Sequence, residues 1–104
     1  MTKPQRRAHV RKRAELDLEC SLGDEVFKAR SQNMSLGGAF IVTDSSLSFG
    51  QDIEVALRFP GFNELRRLPA TVRWAGPNGI GLQFGALDAQ TTYELTEYLA
   101  QCAE

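Results

Sequence analysis

Histidine and cysteine are scarce in this chain of 104 residues, which has one of the first and two of the second. His9 has Lys12 and Arg13 as neighbours three and four residues on, where a catalytic base would need a carboxylate to orient it, so no triad can be built locally. Cys20 and Cys102 stand near opposite ends, which matches neither the close spacing of a zinc or iron–sulfur motif nor a disulfide framework, and they read as buried thiols. The same inventory excludes a metal centre, gives no reason to expect a cofactor, and makes an enzyme the wrong expectation. No run of 18 apolar residues occurs and no apolar stretch follows the basic N-terminus. Neither a transmembrane helix nor a secretory signal is expected, and the expected location is the cytoplasm.

What is present describes one domain with one small core, with 42% hydrophobic and 24% charged residues. The net charge of -1 conceals an asymmetry: Lys3, Arg6, Arg7, Arg11, Lys12 and Arg13 put +6 on residues 1–13, and residues 14–104 carry -7. The arm attracts anions while the body repels them. It lacks alternation and has too few apolar groups to pack alone, so a flexible basic arm is expected.

Beyond the arm the pattern alternates. Leu16, Leu18 and Cys20 face away from Glu15, Asp17 and Glu19, and turn residues at 21–24 lead into a second extended segment over 26–33. A third strand covers 39–43, and Ile53, Val55, Leu57 and Phe59 mark a fourth. Leu68, Ala70, Val72 and Trp74 share a face of the fifth, and a turn at 75–79 leads into Ile80, Leu82 and Phe84. From Asp88, a candidate N-cap, the period becomes helical, with Leu95, Leu99 and Cys102 on one face. Six short antiparallel strands with glycine at the corners close into a barrel more economically than they stay open with two exposed edges. The expected fold is all-β with a C-terminal helix: a basic arm at 1–13, a six-stranded antiparallel barrel over 14–86 and a helix over 88–103. Trp74, Phe27, Phe40, Phe59 and Phe84 fall on alternating positions and read as core.

Chemistry concentrates in two places. Arg7 and Arg11, with Arg6 in front, can converge several guanidiniums, which fork onto phosphate oxygens or a guanine edge and stack on a base. That suits a nucleotide better than a simple anion, the alternative being a solvated basic tail. Asn33 offers an amide donor and a carbonyl acceptor, Ser35 a hydroxyl, and Gly38 lacks the side chain that would block a ligand on the backbone. The alternative is that Asn33 and Ser35 only hydrogen-bond a turn. Lys12 and Arg13 either add phosphate attraction or keep the arm soluble, and Trp74 has base stacking as its second reading.

Arg7-Ala8-His9-Val10-Arg11 followed by Asn33-Met34-Ser35-Leu36-Gly37-Gly38 resembles the PilZ domain family, bacterial receptors for the second messenger cyclic di-GMP. The family pattern is R-x-x-x-R before the first strand and D/N-x-S-x-x-G at the end of the second. Val72-Arg73-Trp74, Gly79-Ile80-Gly81-Leu82-Gln83-Phe84 and the closing helix extend the likeness over the whole chain.

The resemblance implies a PilZ-type six-stranded barrel whose outer surface, with the arginine segment folded over it, binds cyclic di-GMP. Arg7 and Arg11 would contact guanine and phosphate, Asn33 and Ser35 would read a guanine edge, and Gly38 would give clearance. It further implies that the residue before the first motif arginine, here Arg6, governs whether one ligand or a stacked pair is held. An arginine that stacks on guanine and offsets phosphate charge points to two molecules per chain. The chain is thus expected to be a stand-alone receptor and adaptor that changes shape when occupied and signals to an unidentified downstream protein, with no membrane partner. One rival is a member of the same family that serves protein interaction and binds no ligand. The other is a nucleic-acid-binding barrel whose arm tracks a phosphate backbone. The acidic body, and the lack of an identifiable exposed pair of aromatics on neighbouring strands, speak against the latter.

Overall fold

The structure, a computed structural model, describes residues 10–104. The elements are β1 (Lys12–Arg13), β2 (Asp17–Leu22), β3 (Glu25–Met34), β4 (Gly38–Val42), β5 (Asp52–Leu57), β6 (Arg66–Gly76), β7 (Gly79–Phe84) and α1 (Ala89–Ala100). Every pairing is antiparallel, and the order β3-β2-β5-β6-β7-β4 returns through β4 to β3. Six strands therefore close a barrel, which removes the unpaired edges an open sheet would present. The β2–β3 hairpin turns through Gly23 and Asp24, and Gly23 at φ 61° supplies the positive angle a type II′ turn needs at its first central position.

Alternate residues fill the interior. Cys20, Ile41, Phe59, Leu68, Val72 and Leu95 are all fully buried, and each large apolar side chain so placed contributes about 1.5–3 kcal/mol. Asp88 caps α1, its Oδ1 accepting the Thr91 N–H at 2.7 Å. The helix packs into the core through Leu95 and Leu99, and Tyr98 meets Phe59 at a centroid distance of 6.1 Å. Leu47, from the loop between β4 and β5, enters the core as well. Burial pushes the Cys20 thiol up to about 11, the value of an inert thiol. Cys102 is only half-buried, contrary to expectation, because α1 ends at Ala100 and leaves it beyond the last turn, with Sγ donating to the Tyr98 carbonyl at 3.4 Å. Among the described residues, no helix is long and apolar enough to cross a membrane.

The arm departs from expectation at its inner end. Lys12 and Arg13 form a short strand on β3, opposite Met34 and Asn33, so these two residues belong to the sheet rather than to a flexible tail. The cause lies in the residues just after them. Ala14 is buried and donates its N–H to the Gln32 carbonyl, while the fully buried Ser31 Oγ accepts the Leu16 N–H at 2.9 Å and donates to the Ala14 carbonyl. A buried hydroxyl satisfied on both sides locks 14–16 beside β3 and leaves β1 nowhere else to run.

Candidate functional site

Two β-bulges set which side chains reach the outer wall. In β6, Val72 faces Leu82 but Trp74 faces Gly81, so β6 advances two residues while β7 advances one. In β3, Ser31 faces Ile41 but Asn33 faces Phe40, by the same two-against-one step. An extra residue reverses the side-chain parity beyond it. Alternation places Asn33 inward with Ala29 and Ser31, and Trp74 inward with Leu68, Ala70 and Val72; the bulges turn both outward.

Because Phe40 also faces Gly81, the residues Asn33, Phe40, Gly81 and Trp74 lie in one row across β3, β4, β7 and β6. At the usual strand spacing the row spans about 14 Å. Trp74 is 49% exposed, and its ring meets Phe40 at a centroid distance of 5.8 Å, the two rings leaning together over β7. Glycine makes this arrangement fit. A Cβ at Gly76 would lie 2.3 Å from the Trp74 ring, and one at Gly79 would lie 2.5 Å from the Phe40 ring. The expectation that Trp74 and Phe40 are core is thereby corrected, while Phe59 and Phe84 are buried and Phe27 packs at the core's edge.

At the other end of the row stands the arginine segment. Arg11 Nη1 donates to Asn33 Oδ1 at 2.7 Å, so the second arginine of R-x-x-x-R touches the first residue of the other motif. Arg6 and Arg7 lie outside the described residues. Ser35 is buried; its Oγ accepts the Gly37 N–H at 3.1 Å and its N–H donates to the Gly38 carbonyl at 2.8 Å, so it holds the turn between β3 and β4. Gly38 is needed for packing, since a Cβ there would lie 2.0 Å from the Leu82 carbonyl oxygen. Gly38→Ala should therefore lower stability by about 1–3 kcal/mol and speed amide exchange where β4 meets β7, as measured by thermal melting and hydrogen exchange. Sequence reasoning missed Phe40 as a surface residue and Ser31 as the lock on the arm. The signals were the glycines opposite Phe40 and a serine at an inward position.

Among the described residues, no three His, Cys, Asp or Glu side chains come together as a metal site would require. A cationic segment, an amide and an exposed tryptophan ring in one line can instead hold an anion at one end and stack a planar ring at the other.

The sequence profile of the PilZ domain matches residues 5–101. The chain belongs to the PilZ domain family. Solved PilZ structures agree in fold. The PilZ domain of Escherichia coli YcgR, solved with c-di-GMP, shares 19% identity at a TM-score of 0.70, with 92% of this chain and 90% of that chain covered. The PilZ domain of CeSA from a cellulose-synthesizing bacterium shares 19% at 0.69, with coverages of 88% and 95%. Bacillus subtilis MotI/DgrA, an inhibitor of motility, shares 26% at 0.78; the match covers 97% of this PilZ chain but 53% of that protein. Comparison with curated proteins by sequence gives no match.

Proposed function

We propose that this PilZ domain is a receptor for cyclic di-GMP that signals by changing shape and presenting that change to a partner protein. The observation that carries the reading is the row itself: the Arg11–Asn33 contact and the Phe40–Trp74 pair share one outward face. Family membership and the intact motifs support it. Arg7 and Arg11 take phosphate and guanine, and Asn33 reads a guanine edge. Ser35, whose oxygen holds the turn, contributes its hydroxyl hydrogen. Gly38 keeps β4 pressed against β7 so that Asn33 and Phe40 stay in register. Trp74 stacks on a base, a role that a ligand with two purine rings can use and a simple anion cannot. Arg6 supports a second stacked ligand molecule, offsetting the phosphate charges that a pair brings together.

Calorimetric titration tests the reading, with cyclic di-GMP as ligand and GTP and a generic single-stranded oligonucleotide as controls. Saturable binding of cyclic di-GMP alone is expected, with the ligand-to-chain ratio giving the stoichiometry. Trp74→Ala should weaken binding about tenfold, since stacking contributes about 1–3 kcal/mol per base. The exposed Trp74, leaning on the partly buried Phe40, also favours the nucleic-acid reading. Oligonucleotide binding that falls steeply with salt, with no heat from cyclic di-GMP, would establish that reading instead.

A further inference from the structure

The C-terminal end of α1 carries a cation problem that the arm solves. Helix dipoles concentrate negative charge at the C-terminal carbonyls, where a Lys or Arg in the last turn normally compensates. α1 has no basic residue in its last turn, and no Lys or Arg follows Arg73 anywhere in the chain. Compensation comes instead from β1. Lys12 Nζ donates to the Cys102 carbonyl at 3.5 Å, and the Arg13 N–H donates to the Ala103 carbonyl at 2.6 Å.

β1 is thus held on two sides by different parts of the protein. On one side lie Met34 and Asn33 of β3, reinforced by Arg11 bonding Asn33; on the other lie the carbonyls just past α1. Arg11, Lys12 and Arg13 are consecutive, so Arg11 cannot move far without dragging the two residues bonded just past the helix.

We infer that β1 is a latch linking the site to the end of α1: opening the Arg11–Asn33 contact loosens the turn at Cys102 and Ala103. The direction under ligand rests on the proposed receptor function. A ligand that takes Arg11 and Asn33 for itself breaks their mutual bond, draws β1 from its place, and leaves the helix end without its cation. Linkage then requires the converse: weakening the helix-side contacts must tighten ligand binding by the same factor.

Hydrogen exchange at the amides of Arg13, Gln101 and Cys102 tests this, because all three are bonded at the latch or the helix end. The first arm needs no ligand. Asn33→Ala should speed exchange at these amides at least about fivefold, the lower bound of an ordinary coupling, whereas Asn33→Asp, which keeps an acceptor for Arg11, should leave them at the wild-type rate or slower. Amides of β5 and β7 should exchange alike in all three proteins, which separates latch opening from general loosening. Equal rates at the latch amides in Asn33→Ala and wild type overturn the latch, whatever the ligand does. The second arm adds saturating cyclic di-GMP to wild type: faster exchange at the same amides, and about fivefold tighter binding to Lys12→Met, support the stated direction. Slower exchange at Gln101 and Cys102, or weaker binding to Lys12→Met, overturns it. Absence of any binding heat would count against the receptor function while the ligand-free comparison still decides the latch.

Discussion

Arg66→Ala is expected to lower the midpoint of thermal unfolding by at least about 10 °C, read by calorimetry or circular dichroism at neutral pH. Arg66 sits at the start of β6 and reaches up to α1, donating Nε and Nη2 to the two carboxylate oxygens of Glu94 at 3.1 and 2.8 Å, with a further ion pair to Glu64 at 2.9 Å. Glu94 is 2% exposed and has one further donor, Gln90 Nε2 at 3.1 Å. Removing the guanidinium leaves a carboxylate inside the helix–barrel junction with one neutral hydrogen bond, and an uncompensated buried charge costs far more than a pair contributes when intact. Two controls separate this from lost packing. Arg66→Met with Glu94→Leu should recover most of the loss, since it removes both charges at similar volume, while Glu64→Ala should change little because its carboxylate is largely exposed.

The same pair predicts a pH dependence. The Arg66 hydrogen bonds hold the Glu94 carboxyl below its ordinary value of 4.5, and the Thr91 N–H holds Asp88 below 3.8. A carboxyl whose folded value lies below its unfolded value contributes stability that is fully present above the unfolded value and lost as pH falls through the folded one. The wild-type contribution of Glu94 should therefore be constant above about pH 5 and be lost as the solution is acidified below about pH 4, so that the gap in melting temperature to Arg66→Ala closes on acidification. A gap that persists unchanged at pH 2 would rule out the ion pair as its source.

Arg11→Ala is expected to lower cyclic di-GMP affinity at least tenfold, and Arg7→Ala likewise, measured by calorimetric titration. A charge-assisted hydrogen bond contributes about 1.5–3 kcal/mol, and each tenfold in affinity is about 1.4 kcal/mol. Arg11→Lys should bind poorly as well, because an ammonium neither forks onto two phosphate oxygens nor stacks on a base. The melting temperature should fall by only a few degrees in Arg11→Ala, since the side chain is half-buried and bonds Asn33 at the surface rather than packing in the core. Wild-type affinity in either alanine variant would remove the arginine segment from the site.

How much of this was legible in the residues depends on whether a feature obeys a local rule. Alternation of Ile53, Val55 and Leu57 against Asp52, Glu54 and Ala56 specifies a strand and its buried face, and Asp88 before a helical period specifies a capped helix, because each rests on contacts a few residues long. The spacing of Arg11, Asn33, Ser35 and Gly38 places these residues around one turn and its neighbouring strands for the same reason: short motifs travel with the turns that display them. The turn that Ser35 holds was legible as the alternative reading, because its bond to the Gly37 N–H is local, but the close contact of Gly38 with Leu82 was not, because it involves a neighbouring strand.

What local pattern could not decide was parity beyond the bulges. A β-strand has a period of two, so one extra residue moves every later side chain to the opposite face, and nothing in Ser31-Gln32-Asn33 or Val72-Arg73-Trp74 announces the insertion. The bulges are defined against the facing strands, Phe40-Ile41 and Gly81-Leu82, which lie far away in the chain and meet these segments only when the barrel closes. By itself the sequence determined six strands, a capped helix, an acidic body and a basic arm with its motif, because alternation, capping and charge are local. Only the tertiary structure decided that Asn33 and Trp74 face outward in one row, that Phe40 and Trp74 lean together over glycines, and that Lys12 and Arg13 bond the carbonyls just past α1. Each of these is a contact between residues brought together by closure of the barrel, and closure is a property of all six strands at once.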